Sequence, residues 1–426
     1  MYCGNCLRDH ALALAMRDLG EDFTLVPVYT PLLTDLDQGD EVSKGGVFFN
    51  GANAYLQQHV PYLREPRPLL DKLLNSRPVE GILGRLSPGT DASRLGPLTL
   101  SMLKGEDGNQ AKEIDRLIGW LKDEMRPDVI HLSNLLLLGM ARRLREELGI
   151  PLVCSMQSEA HFIDTIPEPW QSDCIREIQT RANEVDGLLA VSSWYASFAC
   201  GKYSLDRDRV EVVLPGVPIG DHPMATNRAQ GSQHLKIGYL ARLAPEKGLE
   251  RLCEAFCEIV TQGEVEDLQL GAAGYFPSSS ASWLKEVSER TKKVAGRNRV
   301  DFLGTLDRGQ KIEFLSSLDL FSVPAPAPEA KGLYALESMA SGVPVVLPAH
   351  GVFPEYIEKS DGGILYDPDE DGALRGALEM MIKDEEVRLR CGQQGRAAVE
   401  DFFNSKRMAR ETAEFYRLRT GAGGRA

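Results

Sequence analysis

The sequence predicts an α/β protein with parallel sheets, divided into two domains. Short apolar strands and amphipathic helices alternate along the chain, which is the pattern of consecutive βαβ units. The length of 426 residues exceeds what one hydrophobic core usually supports and suggests two domains of about 200 residues each. In the second half, charged and glycine-containing loops join strands to helices. Such loops predict a ligand site at strand ends.

Composition excludes several functional classes. The net charge of −14 argues against a nucleic-acid partner, because phosphate backbones require a basic surface. No apolar run reaches the ~18 residues of a membrane span, so no integral membrane segment is predicted, while peripheral membrane contact stays open. Eight scattered cysteines predict a reduced, cytoplasmic protein. Cys3 and Cys6 have redox or zinc spacing, but no Cys/His pair accompanies them, and no metal is predicted.

The first domain is predicted to span residues 1–215. Strands are expected at 23–29, around 47–49 and 54–56, and at 128–132, 151–156, 187–191 and 210–214. Helices are expected at 7–19, 111–125, 135–148, 169–185 and 194–200, with a helical insertion in 60–110. Met1 falls inside the turn that follows the opening strand of a Rossmann-like domain, so that strand is expected before Met1.

Residues 216–234 are rich in Pro, Gly and polar side chains and are predicted to be an interdomain linker. The second domain is predicted at 235–400, followed by a terminal helix at 401–420. Its strands are expected at 235–240, 268–271, 300–303, 320–323 and 342–347. Its helices are expected at 249–260, 283–294, 311–318, from near Gly332, and at 371–383 and 385–401.

The first candidate ligand loop is 241–248, ARLAPEKG, between a strand and a helix. A helix N-terminus attracts anions because its N–H groups lack intrahelical acceptors. Arg242 can bind phosphate oxygens with its planar guanidinium, and Lys247 supplies a point charge. This loop is predicted to bind phosphate groups; the simpler reading is an exposed loop with solvated charges.

The second candidate stretch is 328–346, PEAKGLYALESMASGVPVV. Glu329 and Glu337 are eight residues apart, with Lys331, Gly332 and Leu333 between them. The glycine allows close backbone approach to a ligand, and the helix that begins there offers N–H groups to an anion. Glu337 lies about one turn into the helix and can accept hydrogen bonds from hydroxyl groups. Both glutamates are also compatible with ordinary acids at a helix start.

These two stretches together resemble the retaining glycosyltransferases of family 4, and the resemblance extends from Gly4 to about Tyr416. It implies the GT-B fold, in which two Rossmann-like domains with parallel sheets face each other across a cleft. Carried over, Glu329 lies by the donor sugar, Glu337 holds the donor ribose, and Arg242 and Lys247 neutralise the donor diphosphate. Ala241 stands where the family usually has glycine.

The resemblance also implies further substrate contacts. Gly304, after a strand, corresponds to the loop against the base, and Gly4 belongs to the first loop of the cleft. Gln157 stands where many members have a histidine close to the sugar, with Glu159 beside it and His161 four residues on. Lys331, Gly332 and Leu333 are expected at the diphosphate, where Lys331 adds a charge that the usual family loop lacks.

The implied activity is transfer of a hexosyl group from a nucleotide-diphospho-sugar to a hydroxyl acceptor, a saccharide or a lipid-linked molecule, with retention of configuration. The family works without a metal or other cofactor. Two alternatives stay open: a nucleotide-sugar epimerase or phosphorylase on the same fold, and a non-catalytic nucleotide-sugar-binding protein. The absence of Gly-x-Gly-x-x-Gly weighs against a dinucleotide oxidoreductase.

Overall fold

A computed structural model describes residues 4–28, 51–66, 92–223, 235–263, 265 and 267–420. The chain divides into two compact units. The C-terminal unit consists mainly of Leu214–Met408 and includes the N-terminal residues up to Ala15. The N-terminal unit lies mainly between Met16 and Val213 and includes residues from Ala409 onward. The predicted strand at 47–49, most of the linker, residues 67–91 of the insertion and the tail after 420 lie outside the described residues.

The N-terminal unit contains a parallel sheet of four strands in the order β1-β2-β3-β4. They are β1 Ile130–Leu132, β2 Leu152–Met156, β3 Gly187–Ala190 and β4 Val210–Val212. The helices of the first half are α1 Gly4–Asp18, α2 Gly51–His59, α3 Ala92–Leu103, α4 Ala111–Trp120, α5 Ala141–Leu148, α6 Glu159–Asp164, α7 Trp170–Arg181 and α8 Ser193–Tyr203. β2 and β3 are buried along their whole length, as central parallel strands are.

The C-terminal unit contains a six-stranded parallel sheet in the order β10-β9-β8-β5-β6-β7. Its strands are β5 Leu235–Leu240, β6 Leu268–Ala273, β7 Val300–Gly304, β8 Leu320–Ser322, β9 Val345–Pro348 and β10 Gly363–Tyr366. This is the strand order of the doubly wound Rossmann fold. The chain order reverses between β5 and β8, so this is the position at which such sheets bind ligands.

The helices of this half are α9 Leu249–Gln262, α10 Ala281–Ala295, α11 Arg308–Ser316, α12 Leu333–Ala340, α13 Phe353–Ser360, α14 Ala373–Lys383, α15 Glu385–Asp401 and α16 Ser405–Thr420. Their apolar faces cover the sheet. The core includes Phe256 of α9, Met339 of α12 and Phe353 of α13, all fully buried. The capping box of α11, formed by Asp307 and Gln310, fixes where that helix begins after β7.

Two sequence-based assignments in the first half are wrong. Residues 54–56 belong to helix α2 rather than to a strand. Asn53 and Gln57, one turn apart, both donate to the carboxylate of Glu113, at 3.3 and 2.8 Å, so the segment buries a helical face. Over 23–28 only residue 25 forms a bridge. A short apolar run does not by itself separate a strand from an extended loop.

The grouping of α1 also differs from the predicted domain boundary. The sequence places residues 1–215 in the first domain, whereas the residues up to Ala15 pack as part of the C-terminal unit. Sequence order alone favours assignment to the nearest domain, because the contacts that decide it, such as Asn5 with Lys331, join residues far apart in the chain.

Candidate functional site

Two loops of the C-terminal unit leave the carboxyl ends of β5 and β8, the pair of strands at the switch point of the sheet. The loop after β5 is 241–248, and the loop after β8 is 323–332. Each leads to a helix, α9 and α12 respectively. The two stretches singled out in the sequence therefore lie side by side at the edge where doubly wound sheets bind ligands.

The basic loop 241–248 is held at both ends by the sheet. The buried hydroxyl of Tyr239 lies 3.2 Å from the carbonyl oxygen of Arg242 and 3.3 Å from that of Lys247, within reach to donate to either. Burial raises the pKa of this phenol, which therefore stays a proton donor. The N–H of Leu243 donates to the carbonyl of Tyr275 at 2.8 Å. The loop is thus preorganised before any ligand arrives.

The two cations of this loop have carboxylate partners. Arg242 pairs with Glu246 at 2.6 Å, and its side chain is 41% exposed, so its guanidinium is open to solvent. Lys247 contacts the carboxylate of Glu329, and both side chains are largely shielded. The Lys247–Glu329 ion pair joins the basic loop to the loop after β8.

The backbone of Glu329 is fixed by the turn that precedes α13. The N–H of Val352 donates to the carbonyl of Glu329 at 2.9 Å. A Cβ on Gly351 would lie 2.5 Å from that same oxygen, and Gly351 has a φ of +64°. Only glycine fits this close approach. The turn at Gly351 and Val352 therefore positions Glu329.

Helix α12 begins at Leu333, directly after Gly332, whose φ is +43°. Within the described residues no side chain caps this N-terminus. The N–H of Ala335 donates to the carbonyl of Gly332 at 2.9 Å. The N–H groups of Leu333 and Tyr334, at the first two positions, lack intrahelical acceptors and can bind an anion. The hydroxyl of Tyr356 donates to the carbonyl of Lys331, which holds the loop just before the helix.

Glu337, on the second turn of α12, forms an ion pair with Lys311 at 2.5 Å. Both side chains are buried, with 8% of Lys311 and 14% of Glu337 exposed. Lys311 is not among the site residues predicted from the sequence. Its position on α11, which follows the loop at Gly304, was the available signal. The pair fixes the carboxylate that the family resemblance assigns to the donor ribose.

Gly304 ends β7 with a φ of +70°, and a Cβ there would meet no atom within 4 Å. Its carbonyl accepts the N–H of Gly274 at 2.8 Å, which ties the end of β7 to that of β6. The backbone at Gly304 therefore faces open space. A planar base could pack closely against it, because no side chain stands in the way.

His222 lies beneath the end of α12 and gives the C-terminal unit a pH-sensitive contact. Its Nδ1 is 3.0 Å from the hydroxyl of Ser341, which in turn donates to the carbonyl of Glu337 at 3.3 Å. Burial lowers its pKa from 6.5 to about 4; Asp221 opposes this shift, and Arg308, Lys311 and Arg396 add to it. The folded state therefore holds the imidazole neutral.

The stability of the C-terminal unit should fall as the pH drops from about 6.5 towards 4. Protonation of the unfolded chain begins near 6.5, whereas the folded state resists it down to about 4. The contribution is complete above pH 6.5 and declines by about 2–4 kcal/mol by pH 4. Urea unfolding of wild type and His222→Gln at pH 7 and pH 4.5 measures it. The exposed His161→Gln is the control, and an equal pH dependence in all three proteins would contradict the assignment.

The residues predicted in the N-terminal unit are buried. The carboxylate of Glu159 accepts the N–H groups of Gln157 and Ser158, each at 2.8 Å, and that of Leu135 at 3.4 Å. Gln157 is 0% exposed and donates from Nε2 to the carbonyl of Ser133 at 2.8 Å. These contacts give Glu159 a structural role at the end of β2, and the substrate contact predicted for it stays a prediction.

The structure brings most of the predicted site together in the C-terminal unit. The residues there are Gly4, Arg242, Lys247, Gly304, Glu329, Lys331, Gly332, Leu333 and Glu337, and Gln157 and Glu159 belong to the N-terminal unit. Lys331 contacts Asn5 of α1, next to Gly4. In the described part of the chain, no group of three His, Cys, Asp or Glu side chains is arranged to hold a metal ion. No helix in that part has the length and apolarity needed to cross a bilayer.

Comparison with known proteins defines the class. The fold matches that of HepE from Anabaena in complex with UDP, with a TM-score of 0.61 and 18% identity over 87% of this chain and 96% of that chain. The protein therefore has the GT-B fold of two Rossmann-like domains. Residues 227–398 match the family Glycosyl transferases group 1, and residues 94–220 match Glycosyltransferase Family 4. The chain belongs to the group 1, family 4-like glycosyltransferases.

Two of its relatives are named D-inositol 3-phosphate glycosyltransferase. The protein from Corynebacterium diphtheriae is 28% identical over 66% of this chain and 67% of its own length. The protein from Corynebacterium efficiens is 26% identical over 45% of this chain and 47% of its own length. The chain thus spans about half the length of one of these curated relatives and two thirds of the other.

Proposed function

We propose that the protein transfers a hexosyl group from a nucleotide-diphospho-sugar to a hydroxyl acceptor, with retention of anomeric configuration. The observation that carries the proposal is the meeting, at the β5/β8 switch point, of the basic loop, Glu329 and the uncapped start of α12. A diphosphate leaving group needs cations and N–H donors at this place, and both are present. The likeness to a UDP-bound structure and to named glycosyltransferases supports it.

In this mechanism Arg242, Lys247 and the first turn of α12 neutralise the diphosphate as the glycosidic bond breaks. Donors that are already fixed stabilise the developing charge without reorganisation, which is usually the largest catalytic contribution. Lys331 and Leu333 lie at the same helix start, and Gly332 allows the close approach. Glu337 accepts hydrogen bonds from the ribose hydroxyls, and Gly304 lies against the base. The cations and amides provide this neutralisation, so we propose that no metal is required.

Glu329 has a second role in this scheme. Its carboxylate is the counter-ion of Lys247 in the ligand-free protein. When the diphosphate binds Lys247, this carboxylate is released to accept hydrogen bonds from the hydroxyl groups of the donor sugar. The acceptor is a saccharide or a lipid-linked hydroxyl compound. The seven described cysteines are free thiols, and we place the protein in the reducing cytoplasm.

An alternative is nucleotide-sugar binding without transfer, and the observation that favours it is Gln157. This glutamine stands in the place of the usual family histidine and is fully buried. An assay of sugar transfer to a panel of acceptors distinguishes the two functions. If wild type forms product and the Glu329→Ala and Arg242→Ala variants do not, a function limited to nucleotide-sugar binding is excluded.

The nucleotide of the donor should be identifiable from its effect on the melting temperature of the protein. A ligand at about 100 times its Kd adds about 2.7 kcal/mol, which corresponds to a rise of about 5–10 °C for domains of this size. Wild type and Arg242→Ala are each melted with UDP, GDP, ADP and their sugar conjugates. We expect one nucleotide to raise the melting temperature of wild type and to lose most of that effect in the variant. No rise with any nucleotide would contradict the proposed donor site.

A further inference from the structure

Lys311 and Glu337 form an ion pair that is almost completely shielded from water. The Nζ atom of Lys311 lies 2.5 Å from Oε1 of Glu337, and only 8% of the lysine and 14% of the glutamate are exposed. Taking two charged groups out of water costs about as much free energy as their attraction returns, so an apolar pair usually stabilises a fold as well as a buried ion pair does. The two charges therefore indicate a function that needs an ionised carboxylate at this place.

The two carboxylate oxygens of Glu337 have different surroundings. Oε1 accepts the hydrogen bond from Lys311. Oε2 has no hydrogen-bond partner in the part of the chain that the structure describes, and it remains accessible to solvent. Glu337 thus presents one occupied oxygen and one open oxygen to a ligand.

Contacts with the end of the described linker hold both helices of this pair. Arg308, the first residue of α11, forms a bidentate ion pair with Asp221, in which Nη2 and Oδ1 are 2.7 Å apart. On α12, the hydroxyl of Ser341 donates to the carbonyl of Glu337 at 3.3 Å, and Nδ1 of His222 lies 3.0 Å from that hydroxyl. All of these residues belong to the C-terminal unit. The orientation of the carboxylate is therefore fixed before a ligand binds.

We propose that Lys311 is a positioning residue that leaves Glu337 a single open oxygen, so that the site recognises one hydroxyl group of the donor ribose. A carboxylate with both oxygens open can accept hydrogen bonds from the 2′ and the 3′ hydroxyl groups at once. Here an ammonium engages Oε1, and only Oε2 is available to the sugar. The inference rests on the proposed function, because it takes Glu337 as the ligand of the ribose, and it narrows that contact to one hydroxyl group.

The first test needs only the wild-type protein. Isothermal titration calorimetry compares the nucleotide that raises the melting temperature most with its 2′-deoxy and 3′-deoxy analogues. We expect one analogue to bind at least about tenfold more weakly, because it loses a hydrogen bond to a charged group, and the other to bind within about twofold of the ribonucleotide. Equal losses with the two analogues, or no loss with either, would overturn the inference.

Two substitutions of Lys311 test how it acts. Lys311→Met removes the ammonium and opens Oε1, so both analogues should then lose affinity to a similar extent. Lys311→Arg keeps the charge, but a planar guanidinium can bind both carboxylate oxygens, so neither hydroxyl group should then matter. A merely structural role of Lys311 would weaken all three nucleotides by the same factor and preserve the difference between the analogues, which would contradict the proposal.

The controls separate this inference from the proposed donor site. Lys359→Met, at an exposed lysine of α13, should keep the wild-type pattern. Glu337→Ala should remove the preference, so that the three nucleotides bind alike; a preference that survives there would place the recognised hydroxyl group elsewhere. If the nucleotide binds but the analogues bind equally well, the role of Lys311 fails and the diphosphate contacts stand. If no nucleotide binds, the donor site fails and this inference with it. If Lys311→Met does not fold, wild type and Lys311→Arg carry the test.

Discussion

Replacing Lys247 with methionine should lower kcat/KM for sugar transfer by about 10²–10³-fold, the size of effect seen when one preorganised donor to a developing negative charge is removed. Methionine keeps much of the aliphatic packing of Lys247 and removes only the ammonium group. Because the charge on the leaving diphosphate grows towards the transition state, most of the loss should appear in kcat. Steady-state kinetics with the donor found by the melting experiment measures the effect.

Lys247 could instead act indirectly, by holding the carboxylate of Glu329 in place. A double variant distinguishes this role from direct binding of the diphosphate. If Lys247 acts only by holding Glu329, then Lys247→Met in a Glu329→Gln background should cause little further loss. If Lys247 binds the diphosphate itself, the double variant should be slower than Glu329→Gln alone by at least tenfold. Lys359→Met, at an exposed lysine of α13, controls for the loss of one positive charge in the same unit. If Lys359→Met loses as much rate as Lys247→Met, the effect comes from the change in net charge and not from a specific role of Lys247.

The parts of the site that sequence could predict are those that depend on neighbouring residues. Glu329, Gly332, the start of α12 and strand β9 follow one another within about 20 residues. Local chain chemistry therefore fixes the geometry of α12 and of Gly332, with its positive φ. The same holds for β5 and the basic loop that follows it, because the strand, the cations and α9 are consecutive.

The parts that sequence missed depend on contacts between distant segments. Lys311 forms an ion pair with Glu337, which is 26 positions away in the sequence. Gly351 packs against the backbone of Glu329, although helix α12 and strand β9 lie between them in the sequence. The partners of both residues lie far away in the chain, so no local pattern predicts these two contacts. Glu159 was predicted to contact a substrate because it follows a strand, and that stays a prediction. Its hydrogen bonds could not be predicted from the sequence, since three backbone N–H groups donate to the carboxylate and one of them comes from Leu135, 24 positions away.

Replacing Gly248 with alanine should destabilise the C-terminal unit by more than about 3 kcal/mol, which places it among the largest single-site effects. Gly248 has a φ of +75°, and its Cβ would lie 1.9 Å from the carbonyl oxygen of Pro324. That oxygen belongs to the backbone of the loop after β8, so the overlap can be relieved only by moving a whole loop. The melting temperature should fall by roughly 6–12 °C, at about 2–4 °C per kcal/mol.

Gly263, at the other end of α9, separates the two causes of this loss. It has nearly the same φ, +74°, but its Cβ would meet no atom within 4 Å. Gly263→Ala therefore reports the cost of the left-handed conformation alone, about 1–2 kcal/mol, less a few tenths regained from the stiffer unfolded chain. The difference between the two variants is the contribution of the close approach between the basic loop and the loop after β8. Because relief of the clash separates Lys247 from Glu329, Gly248→Ala should also lose nucleotide affinity, which Gly263→Ala should keep. Equal losses in the two variants would mean that the loops are not held together at this contact.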